Sequence, residues 1–243
     1  KSFNFLTLGF FVCGWHIALV ATHIPMHIRD KGLEDWTATA ILALIGLFNV
    51  FGTLTSGYLS TKISKKKLLS SIYLLRGVSI MYFIYMPPSV INALIFGATF
   101  GYLWLSTVPP TSGIVGHIFG TKYVGGIHGR LLTAWSTAGV LGPVAITQLR
   151  QGSVETAIQD LVSKISPDKF QEIYGASVDQ LSLLVKQKTV TISNLMQHMP
   201  EGTINPSTTL YNTTMYAMAA LLAIAFISNL LIGPVDKKHH MKE

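Results

Sequence analysis

Charge is scarce in this chain: only 12% of its 243 residues are Asp, Glu, Lys or Arg, about half of the ~25% usual in a soluble domain. With 49% hydrophobic residues and a mean hydropathy of +0.46, that scarcity excludes disorder, which needs the reverse balance. Cysteine is nearly absent, and Cys13 alone forbids an intrachain disulfide framework. No basic groove is visible either. The 12 Phe, 9 Tyr and 4 Trp sit among long uncharged runs, which argues against a soluble nucleic-acid-binding domain. The net charge of +7, from 18 basic against 11 acidic residues, therefore needs another origin.

What is present is a series of charge-free runs: 2–28, 36–61, 68–75, 77–121, 131–149 and 202–235. A bilayer core of ~30 Å needs roughly 20 mostly apolar helical residues, at ~1.5 Å of rise each. Six segments reach that length, at about 4–24, 38–61, 68–86, 90–117, 131–149 and 211–233. The expected fold is all-α and polytopic, with six transmembrane helices and no soluble core. A water-soluble helix would show a polar face, and 38–51 (ATAILALIGLFNVF) has almost none. The first run is too long for a signal peptide and lacks a small-residue cleavage site.

Ten of the 18 basic residues then fall on one side. Lys62, Lys65, Lys66 and Lys67 follow the second helix, Lys122 and Arg130 the fourth, Lys237, Lys238 and Lys242 the sixth, and Lys1 begins the chain. The positive-inside rule places both termini in the cytosol, and the expected location is the plasma (inner) membrane. The expected organisation is helices one to five in 1–149, an extracytoplasmic helical loop in 150–210, and the sixth helix with a cytosolic tail in 211–243. In the loop, Ser177 with Gln180 has the pattern of a capping box opening a helix over 178–188, and Ser166-Pro167 that of a second N-cap. A helical cap without chemistry is the reading of this loop, with a substrate-receiving lid as the alternative.

The run GYLSTKISKKK at 57–67 resembles the cytoplasmic loop signature of the major facilitator superfamily. Gly57 would allow close helix approach, and Lys62, Lys65 and Lys66 suit helix ends and anionic headgroups. Thr61 stands where the family acid would be and Ser64 where its second glycine would be. Further along, WLSTVPPTSG at 104–113 resembles the tenth helix of monocarboxylate-porter-like members, as does the chain through 1–129. From 130 to 243, LLTAWSTAGVLGP at 131–143, the long insert and YNTTMY at 211–216 resemble oxalate/formate antiporter relatives. The lysine that the oxalate antiporters carry in the eleventh helix has no counterpart in 131–149, which argues against oxalate itself. The resemblance implies the C-terminal half of a twelve-helix transporter, whose partner is an N-terminal six-helix half in the same full-length chain or a second subunit.

Such a protein needs no catalytic residue, cofactor or metal; it needs polar groups at depth. Arg76 is the one permanent charge inside a helix, and no Asp or Glu occurs in the six helices. It pairs with an anionic substrate or an acid of the missing half, or it is a structural arginine bonded to carbonyls. His16 and His23 share a face of the first helix and suit proton coupling. Asn49, Trp104 and Trp135 are candidate cavity-lining groups. Pro109-Pro110 should break the fourth helix, while Gly97 with Gly101 should mark a helix contact. Gly139, Gly142 and Pro143 would let the fifth bend or pack tightly. The expected function is secondary transport of a small organic anion such as a monocarboxylate, by alternating access, either coupled to protons or exchanging anions. The alternative is a six-helix membrane remnant or sensor that transports nothing.

Overall fold

The charge-free runs become helices. The computed structural model describes residues 1–233; Lys237, Lys238 and Lys242 of the expected tail lie outside them. Its helices are α1 (Ser2–Asp30), α2 (Asp35–Lys62), α3 (Lys65–Tyr85), α4 (Val90–Leu103), α5 (Val108–Phe119), α6 (Val124–Val162), α7 (Pro167–Tyr174), α8 (Leu181–Lys186), α9 (Ile192–Met196) and α10 (Asn212–Leu230). No strand occurs among the described residues. By length and composition five segments can cross a membrane: α1, α2, α3, the stretch Val90–Phe119 that holds α4 and α5, and Pro206–Leu230 around α10. The segment 131–149 lies inside α6, which is not one of the five. Its Thr133, Ser136, Thr137 and Gln148 make it less apolar than the others.

The chain divides into two units. The first runs from Lys1 to Ala145 and resumes at Met215. It is apolar outside as well as inside: Leu54 is 68% exposed, Ile91 70% and Val140 72%. Water would penalise that surface, and lipid does not. Polar groups, by contrast, are withdrawn inward, with His16, Ser56, Arg76, Thr107, Thr111 and Asn229 buried. Short connections join the helices. Gly32, at φ +73°, lets the chain turn out of α1 where a Cβ would be strained. Ser89 caps α4 by accepting from the Asn92 N–H at 3.2 Å.

Glycines set the closest approach, that of α4 to α2. A Cβ on Gly97 would lie 3.1 Å from the Ile41 Cα, and one on Gly101 2.5 Å from the Ile45 Cα. The small-residue pair read from the sequence is therefore a helix contact. Gly142 packs against Ala18 of α1 in the same way, whereas nothing lies within 4 Å of a Cβ on Gly57 or Gly139. The close approach expected at Gly57 is not made by the described residues.

The second unit, Ile146–Thr214, packs α7, α8 and α9 around Phe170, Leu161, Leu184 and Leu195. Ser166 caps α7 by accepting from the Lys169 N–H, with Pro167 at its first turn, as expected. Ser177 caps nothing. Its carbonyl takes the Gln180 N–H at 3.0 Å in a 3₁₀ turn, Val178–Gln180. That leaves the hydroxyl without the donor a capping box needs, so the expected helix over 178–188 is reduced to a turn followed by α8.

Candidate transport site

Two adjacent prolines decide where the fourth span breaks. Pro109 and Pro110 have no N–H to return to the carbonyls of Leu105 and Ser106, so a helix running through them would leave both unpaired. The chain instead ends α4 at Leu103 and restarts at Val108, with prolines in the first turn of α5 where the missing N–H costs nothing. Residues 104–107 are then irregular backbone inside an apolar bundle. Each polar group left unpaired at that depth would cost several kcal/mol.

Side chains from three helices satisfy it. From α3, the Arg76 Nη2 donates to the carbonyls of Leu103 at 2.5 Å and Trp104 at 2.7 Å. From α2, the Asn49 Oδ1 accepts the Leu105 N–H at 3.0 Å, and the Ser56 hydroxyl donates to the Ser106 carbonyl. From α1, the Cys13 Sγ lies 3.9 Å from the Thr107 hydroxyl. Asn49 and Ser56 are seven residues apart, so one face of α2 carries Ile41 and Ile45 under α4, then Asn49, Gly52 and Ser56 under the break. A Cβ on Gly52 would collide with the Tyr102 carbonyl oxygen. Only glycine lets the two backbones meet there.

Arg76 is 1% exposed. Its guanidinium lies 5.5 Å from the Tyr73 ring and 5.9 Å from that of Phe100, with Nη1 3.6 Å from the Cys13 Sγ. Its Nε has no acceptor among the described residues. No Asp or Glu occurs between Asp35 and Glu155, so the arginine charge is solvated by carbonyls and rings, and no carboxylate of the spanning helices neutralises it.

Arg76, Asn49 and Trp104 thus converge on one turn. His16 joins α1 to α10 instead: fully buried, it places Nδ1 2.6 Å from the Val12 carbonyl and Nε2 3.1 Å from that of Met218. A neutral imidazole has one N–H and can donate to only one of these two acceptors. His23 is half-buried seven residues further along α1. Trp135 meets α1 through its backbone, since a Cβ on Gly14 would collide with its carbonyl. Ser56, Cys13 and Tyr73 were not singled out from the sequence. The spacing of Ser56 from Asn49 was the available signal for the first; hydroxyl and thiol groups in an apolar run otherwise look like packing residues.

In the loop signature, the Lys66 Nζ bonds the Leu230 and Ile232 carbonyls at 3.4 and 3.1 Å, closing the end of α10. The Lys65 stem lies against Gly113, and the Lys62 Nζ sits 5.7 Å from the Tyr58 ring centre.

Residues 1–143, a stretch that contains the loop signature and the broken span, match the family model of the Major Facilitator Superfamily. The chain belongs to the major facilitator superfamily. Members of this superfamily are membrane transporters of small molecules rather than enzymes. No curated protein matches the chain. The superfamily match ends inside α6, before the second unit and α10, so the carbonyl of Met218 that faces His16 lies beyond it.

Proposed function

We propose that this chain is the second half-bundle of a superfamily transporter that carries a small organic anion, such as a monocarboxylate, by alternating access. In this reading 131–149 is a further span beside the five, both ends of the bundle's chain are cytosolic, and the loop 150–210 is extracytoplasmic. The less apolar 131–149 suits a span that faces a partner half and a polar path rather than lipid.

The observation that carries the reading is the broken span held by a buried, unneutralised arginine. Discontinuous helices at mid-membrane are where transporters bind their cargo, because irregular backbone offers polar groups there. Arg76 acts from behind the break. It holds the carbonyls of Leu103 and Trp104 and sets a positive potential beside them, while Trp104 and Asn49 shape the turn. At an effective dielectric of ~20, a unit anion ~8 Å from that charge gains ~2 kcal/mol, which is about 30-fold in affinity. A cation would lose the same amount. His16, with two acceptors for one N–H, is the proton-binding group of this proposal, and His23 and Trp135 line the path beyond it.

Uptake of labelled formate, oxalate and lactate into proteoliposomes containing the complete protein tests this. Saturable uptake of at least one monocarboxylate is expected, with Arg76→Gln reducing it about 30-fold. Normal uptake by a folded Arg76→Gln protein would remove Arg76 from the mechanism. No uptake of any of the three by the folded unsubstituted protein would overturn the anion assignment.

A further inference from the structure

At the end of the bundle where α2 passes into α3, a cavity of about 410 Å³ opens beside the connection. Three of its lining residues, Lys65, Lys66 and His117, carry basic nitrogens, and none of its lining residues among those described is acidic. Apart from Ser64, its other walls are apolar, among them Ile114 and Ile118 of α5 and Ile232 beyond α10. The first turn of α3 contains no acid, and the hydroxyl of its N-cap residue, Ser64, makes no capping bond. Backbone N–H groups of that turn therefore add to the positive potential of the lysines.

Position identifies the occupant. The cavity lies where α3 begins and where the segment Val90–Phe119 and α10 end, all of them in stretches apolar enough to cross a membrane. Ser2 bonds the Gly233 carbonyl at 2.8 Å, and Phe3 meets Phe119 with ring centres 6.4 Å apart, so the start of α1 is at the same end. A site at the rim of a bilayer, lined by isoleucines together with basic side chains, is met first by phospholipid. We propose that it binds the phosphate of an anionic phospholipid, with the isoleucines taking the glycerol and the first methylenes. The sequence offers all the lysines of 62–67 to headgroups in general. The fold separates them: Lys65 and Lys66 line the cavity with a histidine from another span, while Lys62 lies over Tyr58.

A phosphate seated there would bridge α3, α5 and the chain after α10, which Lys66 already joins to α3. The bound lipid would therefore brace three spans at one rim. This site does not depend on what the protein transports.

Lipid-stripped protein in an uncharged detergent, titrated with dioleoylphosphatidylglycerol, dioleoylphosphatidylcholine or sodium phosphate and read by native mass spectrometry, tests the proposal. Phosphatidylglycerol should bind about tenfold more tightly than phosphatidylcholine, and sodium phosphate should compete only weakly. Lys65→Gln should weaken phosphatidylglycerol about fivefold, Lys65→Arg should keep it, and Lys67→Gln, which removes an exposed lysine from the same turn, should leave it within about twofold. His117→Glu, at an exposed position whose replacement leaves the packing intact, should abolish the preference on its own. Equal losses in Lys65→Gln and Lys67→Gln would show diffuse attraction and overturn the site. Sodium phosphate binding as tightly as phosphatidylglycerol would assign the cavity to a soluble anion and overturn the lipid.

Discussion

Arg76 and Asn49 bond the same four-residue turn from different helices, the arginine through carbonyls and the asparagine through an N–H. Replacing either by an apolar residue strands backbone groups of the turn, buried at Leu103 and half-buried at Trp104 and Leu105. Arg76→Met and Asn49→Leu should each destabilise the folded protein by ~2–4 kcal/mol. Because both hold one turn, the double variant should fall short of the sum by ~1 kcal/mol. Unfolding in mixed micelles checks this, and additivity within ~0.5 kcal/mol would show that the two act separately. The arginine was legible in the sequence as a lone charge in a run from 68 to 121. Its acceptors were not, since a carbonyl oxygen belongs to every residue and nothing in the letters marks Leu103 or Trp104 as having one to spare.

Among elements, the pairing of α2 with α4 rests on what is missing from side chains. Gly101→Ala puts a Cβ against the Ile45 backbone, which cannot give way as a flexible side chain would, and should cost ~1–3 kcal/mol. Gly139→Ala on α6 enters open space and should be neutral or stabilise by up to ~1 kcal/mol through helix propensity. Thermal midpoints of the two variants in one detergent check the contrast; equal midpoints would overturn it. The prolines made the break in the fourth span readable, and four-residue spacing made the Gly97 and Gly101 contact readable. Ser177 misled because a capping box and a 3₁₀ turn compete for the same Gln180 N–H, and only the backbone path decides between them. Gly57 matched its family signature, yet it meets nothing within the described residues.

For the whole molecule, the charge asymmetry becomes a statement about sides. Cys13 is the one cysteine of residues 1–243 and is buried, so in a Cys13→Ser background the introduced cysteines are the reporters within this stretch. An impermeant maleimide added to intact cells should label Glu34→Cys and Met86→Cys, while Thr61→Cys and Thr121→Cys should react only after permeabilisation. The reverse pattern would invert the proposed orientation, and labelling of all four in intact cells would overturn the spanning order. The bonds of Ser2 to Gly233 and of Lys66 to the residues after α10 support the common end that alternation of the spans requires.

The sequence by itself determined that the chain is helical, that it lives in lipid, where the fourth span breaks and which cation is left without an acid. Those are properties of composition along the chain: transfer of apolar length out of water, the missing N–H of proline, and a count of charges. Tertiary structure alone decided what each polar group faces. Arg76 reaches a carbonyl 27 residues away and His16 one 202 residues away, and Lys65 shares a cavity with His117 on another helix. Such meetings depend on the packing of separate spans and on backbone atoms that every residue carries, so no local pattern of residue types encodes them.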